Sequence, residues 1–168
     1  DFKHRIWTGS SLDGLNVFDG KSSKTILNGN LSFNKPVALL EDSKKRIWVG
    51  HLDGVSCIVN DHVVNSILKG VRVRSLMYDR KGILWIGTWG QGIYKYNPDV
   101  KGGTDFEKLT FENKMLPNNY VHAIHEAKNG QIYVGTGAGL AVYNFNPKKG
   151  QEFRFYGTLD GLCNTYVG

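Results

Sequence analysis

The chain has 168 residues, of which 21 are Lys or Arg and 15 are Asp or Glu, so its formal net charge is +6. This basic excess permits an acidic partner but does not locate one, because the lysines are scattered through predicted turns. The sequence lacks the clustered arginines and interleaved aromatic residues of nucleic-acid binding, so we expect no nucleic-acid partner. It also lacks a signal peptide and a transmembrane run, flanks that a fragment would have lost.

One pattern occurs four times along the chain: an apolar residue, an aromatic residue, a small or β-branched residue and glycine, with a second glycine four or five residues later. The four copies are Ile6-Trp7-Thr8-Gly9 with Gly14, Ile47-Trp48-Val49-Gly50 with Gly54, Leu84-Trp85-Ile86-Gly87 with Gly92, and Ile132-Tyr133-Val134-Gly135 with Gly139. Their aromatic residues lie 41, 37 and 48 residues apart, which is the range of propeller blades.

Each copy predicts a strand, a tight turn and a returning strand, since aromatic and β-branched residues suit strands and glycine adopts positive φ in hairpins. A further strand precedes the aromatic residue in three copies, and an outer strand follows each hairpin. The preceding strands are 36–41, 73–78 and 121–126, and the outer strands are 25–27, 63–67, 106–111 and 153–156. Four antiparallel strands in each period are typical of a β-propeller blade.

We therefore predict an all-β chain that forms a β-propeller segment of about four blades, each a four-stranded antiparallel sheet. The predicted blades are a partial blade at 1–35, complete blades at 36–72, 73–120 and 121–161, and the start of another blade at 162–168. Both ends cut through predicted strands or turns, which favours part of a longer, seven-bladed propeller over a closed four-bladed ring. A β-sandwich is the alternative fold.

The repeated aromatic residues are predicted to form the core, since repetition marks packing in stacked arrays. Six places before the aromatic residue, three copies carry an aspartate, and the fourth carries Ala127 instead. The three aspartates are Asp1, Asp42 and Asp79.

Recognition chemistry is expected where the copies differ, on the rim that holds the turn between second and third strands and the connections between blades. Trp89 is the one large aromatic residue at its turn position, and an exposed indole beside amides and guanidinium groups suits a sugar face and its hydroxyls. The candidate ligand-binding residues are Trp89, Arg74, Asn119, Tyr120, His122 and His51. Packing of Trp89 against a neighbouring blade is the alternative.

Metal and catalytic sites are not predicted. His122 and His125 lie three apart on a strand, so their side chains point to opposite faces and do not share a metal. We expect no cofactor, because no phosphate-cradling loop or nucleophile elbow occurs. Glycoside hydrolysis stays an alternative, because four carboxylates are expected near the hub: Asp13, Asp53, Glu41 and Glu126. They recur in equivalent positions of the repeat, however, which favours turn capping over catalysis.

The third copy, Asp79 to Pro98, resembles the two-component regulator propeller repeat. That family's pattern is Asp-x-x-Gly-x-Leu-Trp-Ile-Gly-Thr, followed by Gly-Leu and a Tyr-Asn or Tyr-Asp pair. The fourth copy keeps residues 130–136, Gly139-Leu140 and Tyr143-Asn144. In the first two copies we place Arg5 and Arg46 at the glycine of the pattern. The connection also matches the Asp-Gly-Leu that begins the family's Asp-Gly-Leu-x-x-Asn, at residues 160–162.

This resemblance implies the periplasmic sensor half of a membrane-spanning regulator, in which paired seven-bladed propellers precede a β-sandwich, a membrane helix and a histidine kinase. It implies a ligand derived from a glycan, a sensor homodimer, the remaining propeller blades as partners, and membrane attachment only through other parts of the parent.

The leading hypothesis is thus a non-enzymatic segment that senses a glycan-derived oligosaccharide. A protein-interaction scaffold without a small-molecule ligand is the main alternative, and a propeller glycosidase or lyase that uses Glu126 or Asp53 is the third.

Overall fold

The computed structural model describes residues 1–10, 14–26, 36–100, 105–143 and 153–164. In this part of the chain, fifteen strands and one 3-10 helix occur, and the strands form antiparallel sheets in which sequence neighbours pair. The all-β prediction is confirmed. No helix among these residues has the length and apolar character to cross a membrane. The chain divides into two compact units, Asp1–Val73 and Arg74–Gly168.

The first unit contains a three-stranded and a four-stranded sheet. The three-stranded sheet consists of β1 (Ile6–Ser10), β2 (Gly14–Phe18) and β3 (Ser23–Ile26), and the four-stranded sheet consists of β4 (Ala38–Glu41), β5 (Ile47–His51), β6 (Gly54–Val59) and β7 (His62–Ile67). In both sheets the repeated aromatic residue lies on a hairpin, with Trp7 opposite Val17 and Trp48 opposite Cys57. Leu27, predicted to extend the outer strand, lies outside the described residues.

The second unit holds two four-stranded sheets, and the first strand of one of them begins at the unit boundary. One sheet consists of β8 (Val73–Tyr78), β9 (Leu84–Thr88), β10 (Ile93–Tyr96) and β11 (Glu107–Leu109), and the other of β12 (Val121–Glu126), β13 (Ile132–Thr136), β14 (Gly139–Tyr143) and β15 (Phe153–Tyr156), followed by the 3-10 helix Thr158–Asp160. The predicted blade boundaries stay predictions, and the predicted strand start at 165–168 lies outside the described residues.

The outer strand β11 is shorter than the predicted 106–111. It ends at Leu109 because the next two backbone amides bond to side chains of the following connection. The Thr110 amide donates to Asn113 Oδ1 at 2.8 Å, and the Phe111 amide donates to Asn119 Oδ1 at 2.8 Å. The chain therefore leaves the sheet early and turns back toward the rim.

Each unit has its own apolar core, and the repeated aromatic residues contribute to it. Trp85 is fully buried in the second unit, and Trp48 is buried in the first. Trp7 and Tyr133 are half-buried, and Trp7 packs against the core of the first unit. The prediction that repetition marks packing is confirmed for the two buried tryptophans.

Glycines two places after the aromatic residue allow neighbouring sheets to approach. A Cβ added at Gly87 would collide with Ser75 Oγ and would lie 2.7 Å from Val121, the first residue of β12. A Cβ added at Gly9 would likewise lie 2.6 Å from the Cβ of Pro36, the residue that leads into β4. Within each unit, the glycine of one sheet thus lies against the start of the next sheet's first segment, where a larger residue does not fit.

The aspartate six places before each repeated tryptophan organises the turn that precedes the tryptophan's strand. Asp79 Oδ1 accepts the amides of Lys81 and Ile83, both at 2.9 Å, and its Oδ2 accepts the Trp85 indole N–H at 2.7 Å. Asp42 makes the equivalent bonds to two turn amides and to Trp48, and Asp1 does so for Trp7. These carboxylates link turn and core, as buried polar groups require hydrogen-bond partners.

One detail of the motif alignment is wrong. The glycine of the pattern corresponds to His4 and Lys45, not to Arg5 and Arg46, because His4 and Lys45 adopt the left-handed φ of 58° and 67° that Gly82 adopts at 81°. Both non-glycine residues accept this conformation where the Asp-centred turn fixes the backbone. Arg5 and Arg46 lie one place later, and their guanidinium groups pair with the turn aspartates.

Candidate functional site

The turn after β9 presents Trp89 at the surface. Thr88 holds the turn closed, since its hydroxyl donates to the Gly92 carbonyl at 2.7 Å and accepts the Gln91 amide at 3.1 Å. Gly90 and Gly92 adopt φ of 93° and 74°, values that glycine reaches without steric cost. The indole of Trp89 is 48% exposed, whereas Trp85 in the preceding strand is fully buried.

The connection that follows β11 is bonded to this turn through Asn119. The Asn119 carbonyl accepts the amides of Gly90 at 3.2 Å and Gly92 at 3.0 Å. Its side-chain oxygen accepts the Phe111 amide, and its Nδ2 donates to both carboxylate oxygens of Glu112, at 2.9 and 3.1 Å. Asn119 therefore braces turn and connection, and its side-chain oxygen and nitrogen both have intramolecular partners.

Tyr120 lies directly against Trp89. The two residues form an isolated antiparallel bridge, and their rings meet edge to face with centroids 5.5 Å apart and planes at 87°. The Tyr120 carbonyl also accepts the Gly137 amide at 2.9 Å, which ties the connection to the hairpin of the next sheet. Tyr120 is 45% exposed, so the pair forms an aromatic surface on a backbone fixed from two sides.

His122 reaches the same indole from β12. Its pairing register with β13 shifts between Val121 and Ala123, so His122 stands at a β-bulge. Bulges redirect side chains, and here the imidazole lies 6.1 Å from the Trp89 ring at 86°. Burial lowers the pKa of His122 below its usual value, and the nearby Arg74 guanidinium lowers it further.

Arg74 completes this group from β8, with its guanidinium carbon 5.9 Å from the Trp89 ring centroid. We call Arg74, Trp89, Tyr120 and His122 the rim cluster. Its members come from four elements of the second unit, namely β8, the turn after β9, the connection after β11 and β12, and each is a candidate from sequence. The cluster offers an aromatic surface, a phenol, a cation and an imidazole, which together suit a polar ligand with an apolar face.

His51, the remaining candidate, lies in the first unit and is buried at the end of β5. Its Nε2 is 3.2 Å from Ser56 Oγ, and its Nδ1 accepts the Asp53 amide at 3.3 Å. Burial lowers the pKa of His51, which the Asp53 carboxylate partly opposes. His51 occupies the repeat position of Thr88, a residue that caps its own hairpin. A ligand role for His51 stays a prediction.

The carboxylates considered for acid–base chemistry bond to the backbone. Glu126 accepts the Arg80 amide at 3.0 Å, and Glu41 accepts the Phe2 amide at 3.0 and 3.2 Å, so both hold the turn of the preceding sheet in their unit. Asp53 Oδ1 accepts the Gly70 amide at 2.7 Å. Asp13 lies outside the described residues. Among the described residues, no group of three or more His, Cys, Asp or Glu side chains is placed to hold a metal ion.

Sequence reasoning missed two features of this site. The first is the bulge at His122, which leaves no mark in residue type. The second is the brace at Asn119, which was predicted to face ligand. A signal was present for the brace, since Asn113 and Asn119 follow a strand and asparagine side chains commonly bond nearby backbone in turns.

Comparison with known families identifies the repeat. The model of the family described as two component regulator propeller matches residues 67–90 and 115–138, and these segments include Trp89, Tyr120 and His122. These two segments match the two-component regulator propeller repeat. The resemblance drawn from the Asp-to-Thr motif is thereby confirmed.

The proteins that resemble the chain include two solved extracellular domains and one curated relative. The extracellular domain of the putative hybrid two component system BT3049 from B. thetaiotaomicron is 25% identical with a TM-score of 0.82, over 99% of this chain and 23% of that one. The extracellular domain of BT4673 from the same organism is 23% identical with a TM-score of 0.73, over 92% of this chain and 20% of that one. This second similarity supports the fold of the chain and no more.

The curated relative is Histidine kinase P4 of Formosa agariphila, which is 26% identical over 147 residues. That match covers 80% of this chain and 10% of the relative. The chain therefore spans about a quarter or less of each of these longer proteins. The β-propeller fold class is confirmed, and the solved structure that is 25% identical is the extracellular domain of a putative hybrid two component system.

Proposed function

We propose that the chain is a non-enzymatic propeller segment of a periplasmic two-component sensor and that its rim cluster binds a glycan-derived oligosaccharide. The propeller repeats and the similarity to extracellular domains of such systems support the sensor assignment. In the parent protein, remaining blades complete the propeller, two sensors form a homodimer, and a histidine kinase receives the signal, as the similarity to a histidine kinase suggests.

The observation that carries the ligand assignment is the exposed Trp89 indole, held in one orientation at a position where the repeats differ. Its contacts with Tyr120 and His122 fix the ring before a ligand arrives, which reduces the entropy lost on binding. The C–H face of a sugar packs on an aromatic ring, while its hydroxyls accept and donate hydrogen bonds at the margin. Arg74 and Tyr120 supply polar groups at that margin.

Binding at the cluster transmits a signal only if the ligand prefers one arrangement of the sensor over another. The cluster joins three successive parts of the second unit, namely β8, the turn after β9, and the connection into β12. A ligand that contacts Arg74, Trp89 and His122 together therefore favours one relative position of these elements. Ligand binding to the rim cluster then changes the arrangement of the sensor.

The proposal is tested by calorimetric titration of the full sensor ectodomain with tetrasaccharides cut from acidic and neutral plant and algal polysaccharides. Trp89→Ala is expected to weaken binding about tenfold or more, since an aromatic platform contributes on the order of 1.5 kcal/mol. Phe155→Ala is the matched control, because Phe155 is a 42% exposed aromatic residue on the outer strand β15. Equal affinity in wild type and Trp89→Ala would remove the ligand site from this cluster.

A protein-interaction scaffold predicts a different result. In that case no tetrasaccharide binds the ectodomain, and Trp89→Ala changes only its association with a protein partner. Replacing Glu126 by Gln serves as the test of the enzymatic alternative, because loss of polysaccharide turnover in that variant would contradict a purely binding role.

A further inference from the structure

The rim cluster contains a positive charge, that of Arg74, that no described carboxylate neutralises. Arg74 is exposed and makes no ion pair with a described residue. By contrast, Arg5, Arg46 and Arg80 each pair with a carboxylate. The charge of Arg74 is thus directed at the indole and the solvent beside it, and is not neutralised within the described part of the chain.

His122 adds a second group that can become cationic beside the indole. It lies 6.1 Å from the Trp89 ring, and Arg74 acts on it electrostatically. The neighbouring carboxylate in the connection, Glu112, is bonded through both oxygens to the Asn119 amide. That bond lowers the pKa of Glu112 and directs the carboxylate toward the connection.

We propose that the ligand of the rim cluster is an acidic oligosaccharide, whose carboxylate or sulfate group binds Arg74 while a sugar ring packs on Trp89. This inference rests on the proposed function, that the cluster binds an oligosaccharide. A guanidinium group presents a planar fork of N–H donors that matches a carboxylate or a sulfate, and such charge-assisted bonds are stronger than bonds between neutral groups. A bound anion raises the pKa of His122, and the protonated imidazole adds a second favourable charge.

The experiment titrates the full ectodomain with two matched pairs of probes. The first pair is tetragalacturonate and its fully methyl-esterified form, which differ in charge but share a backbone. The second pair is a sulfated galactan tetrasaccharide and its desulfated form. We expect one acidic probe to bind at least about tenfold more tightly than its neutral counterpart, and the pair that shows the difference identifies carboxylate or sulfate as the recognised group.

Three variants assign the effect to Arg74. Arg74→Gln is expected to reduce affinity for the acidic probe about tenfold and affinity for the neutral probe by a clearly smaller factor, since glutamine keeps a hydrogen-bond donor but no charge. Arg74→Lys is expected to retain part of the preference. The control is Arg154→Gln, since Arg154 is also exposed and lies over an aromatic ring, 5.0 Å from Tyr156, but outside the cluster. Arg154→Gln should change neither affinity.

The pH dependence provides an independent readout. Since the pKa of His122 is lowered in the free protein and an anion raises it, acidic-probe binding takes up protons and strengthens as pH falls below neutrality, by at most about tenfold per pH unit. Arg74 on β8 acts on His122 electrostatically. The titratable residues of the segments that flank His122 or pair with its strand are Tyr120, His125 and Glu126 along the chain and Tyr133 on β13, while β9 and its turn contain none. His122→Gln should flatten the profile and preserve binding.

Equal binding of each acidic probe and its neutral counterpart would overturn this inference and leave the proposed function intact. The same conclusion follows if Arg74→Gln and Arg154→Gln behave alike. If none of the four probes binds the wild-type ectodomain but another tetrasaccharide of the wider panel does, the acidic-ligand inference fails and the proposed function stands. If no tetrasaccharide of that panel binds, both fail.

Discussion

The two ends of the β8–β11 sheet differ in how completely their side chains are engaged. At one end, Asp79 is buried and accepts three hydrogen bonds, among them that of the buried Trp85 indole. At the other end, Trp89 is nearly half exposed and contacts its neighbours edge to face. The first arrangement recurs in three sheets, whereas the second occurs at the turn of one.

This contrast shows what repetition means in an array of sheets. A residue that recurs at the same register satisfies a requirement that every sheet has, such as a closed turn or a filled core. A residue that occurs once is free of that requirement, so its exposed chemistry is available for a ligand. Under the proposed function, framework residues and ligand-binding residues lie at opposite ends of the strands of one sheet.

The fourth copy confirms that the framework pair acts as a unit. It carries Ala127 in place of the aspartate and Tyr133 in place of the tryptophan, so donor and acceptor are replaced together. The Tyr133 hydroxyl instead bonds to Gln131 Oε1 at 3.1 Å, and Asn129 Oδ1 accepts the Gln131 amide at 3.1 Å. The turn is therefore closed by a different set of side chains.

The largest expected effect is at the framework end. Asp79→Ala leaves two turn amides and the Trp85 indole N–H without their acceptor, and should lower the free energy of unfolding by about 3–5 kcal/mol. Urea denaturation of the chain followed by tryptophan fluorescence measures this loss.

The control for Asp79→Ala is Asp105→Ala, which removes the same charge from an exposed position. In a double-mutant cycle with Trp85→Phe, the two losses should not add, because both substitutions remove the same bond. Additive losses would show that the aspartate and the tryptophan act independently, and the comparison between the two ends would lose its basis.

An intermediate effect is expected at the hairpin that supports Trp89. Gly92 has a positive φ, and a Cβ there would collide with the Leu109 carbonyl of the outer strand, so Gly92→Ala should cost about 2–3 kcal/mol. Gly130→Ala is the matched control, since Gly130 also has a positive φ but open space around it, and should cost about 1 kcal/mol. Thermal unfolding distinguishes them, and equal losses would rule out the steric explanation.

The smallest effect on stability is expected at the recognition end. Trp89→Ala removes a half-exposed ring but leaves the backbone bonds of Gly90 and Gly92 to Asn119 in place, so the loss should be about 1 kcal/mol or less. The same urea denaturation measures it. A loss as large as that of Asp79→Ala would mean that Trp89 is framework, which is the packing alternative for this residue.

Much of the fold follows from residue types at fixed spacing. The repeated aromatic residue and glycines indicate the hairpins because few residues other than glycine accept the backbone of these turns. The aspartate six places earlier was visible as a repeat, but its bond to the indole was not, because the chain reverses direction between the two residues. The shortened β11 was also missed, since side chains of residues 113 and 119 compete for its last amides.

For the site, the sequence determined which residues depart from the repeat, and these include every member of the rim cluster. The tertiary structure alone decided which of them meet. Arg74, Trp89 and His122 are separated in sequence and come together only through sheet pairing, the bulge in β12 and the Asn119 brace. His51 departs from the repeat in the same way but is buried by its own hairpin, since exposure depends on surrounding atoms and not on residue type.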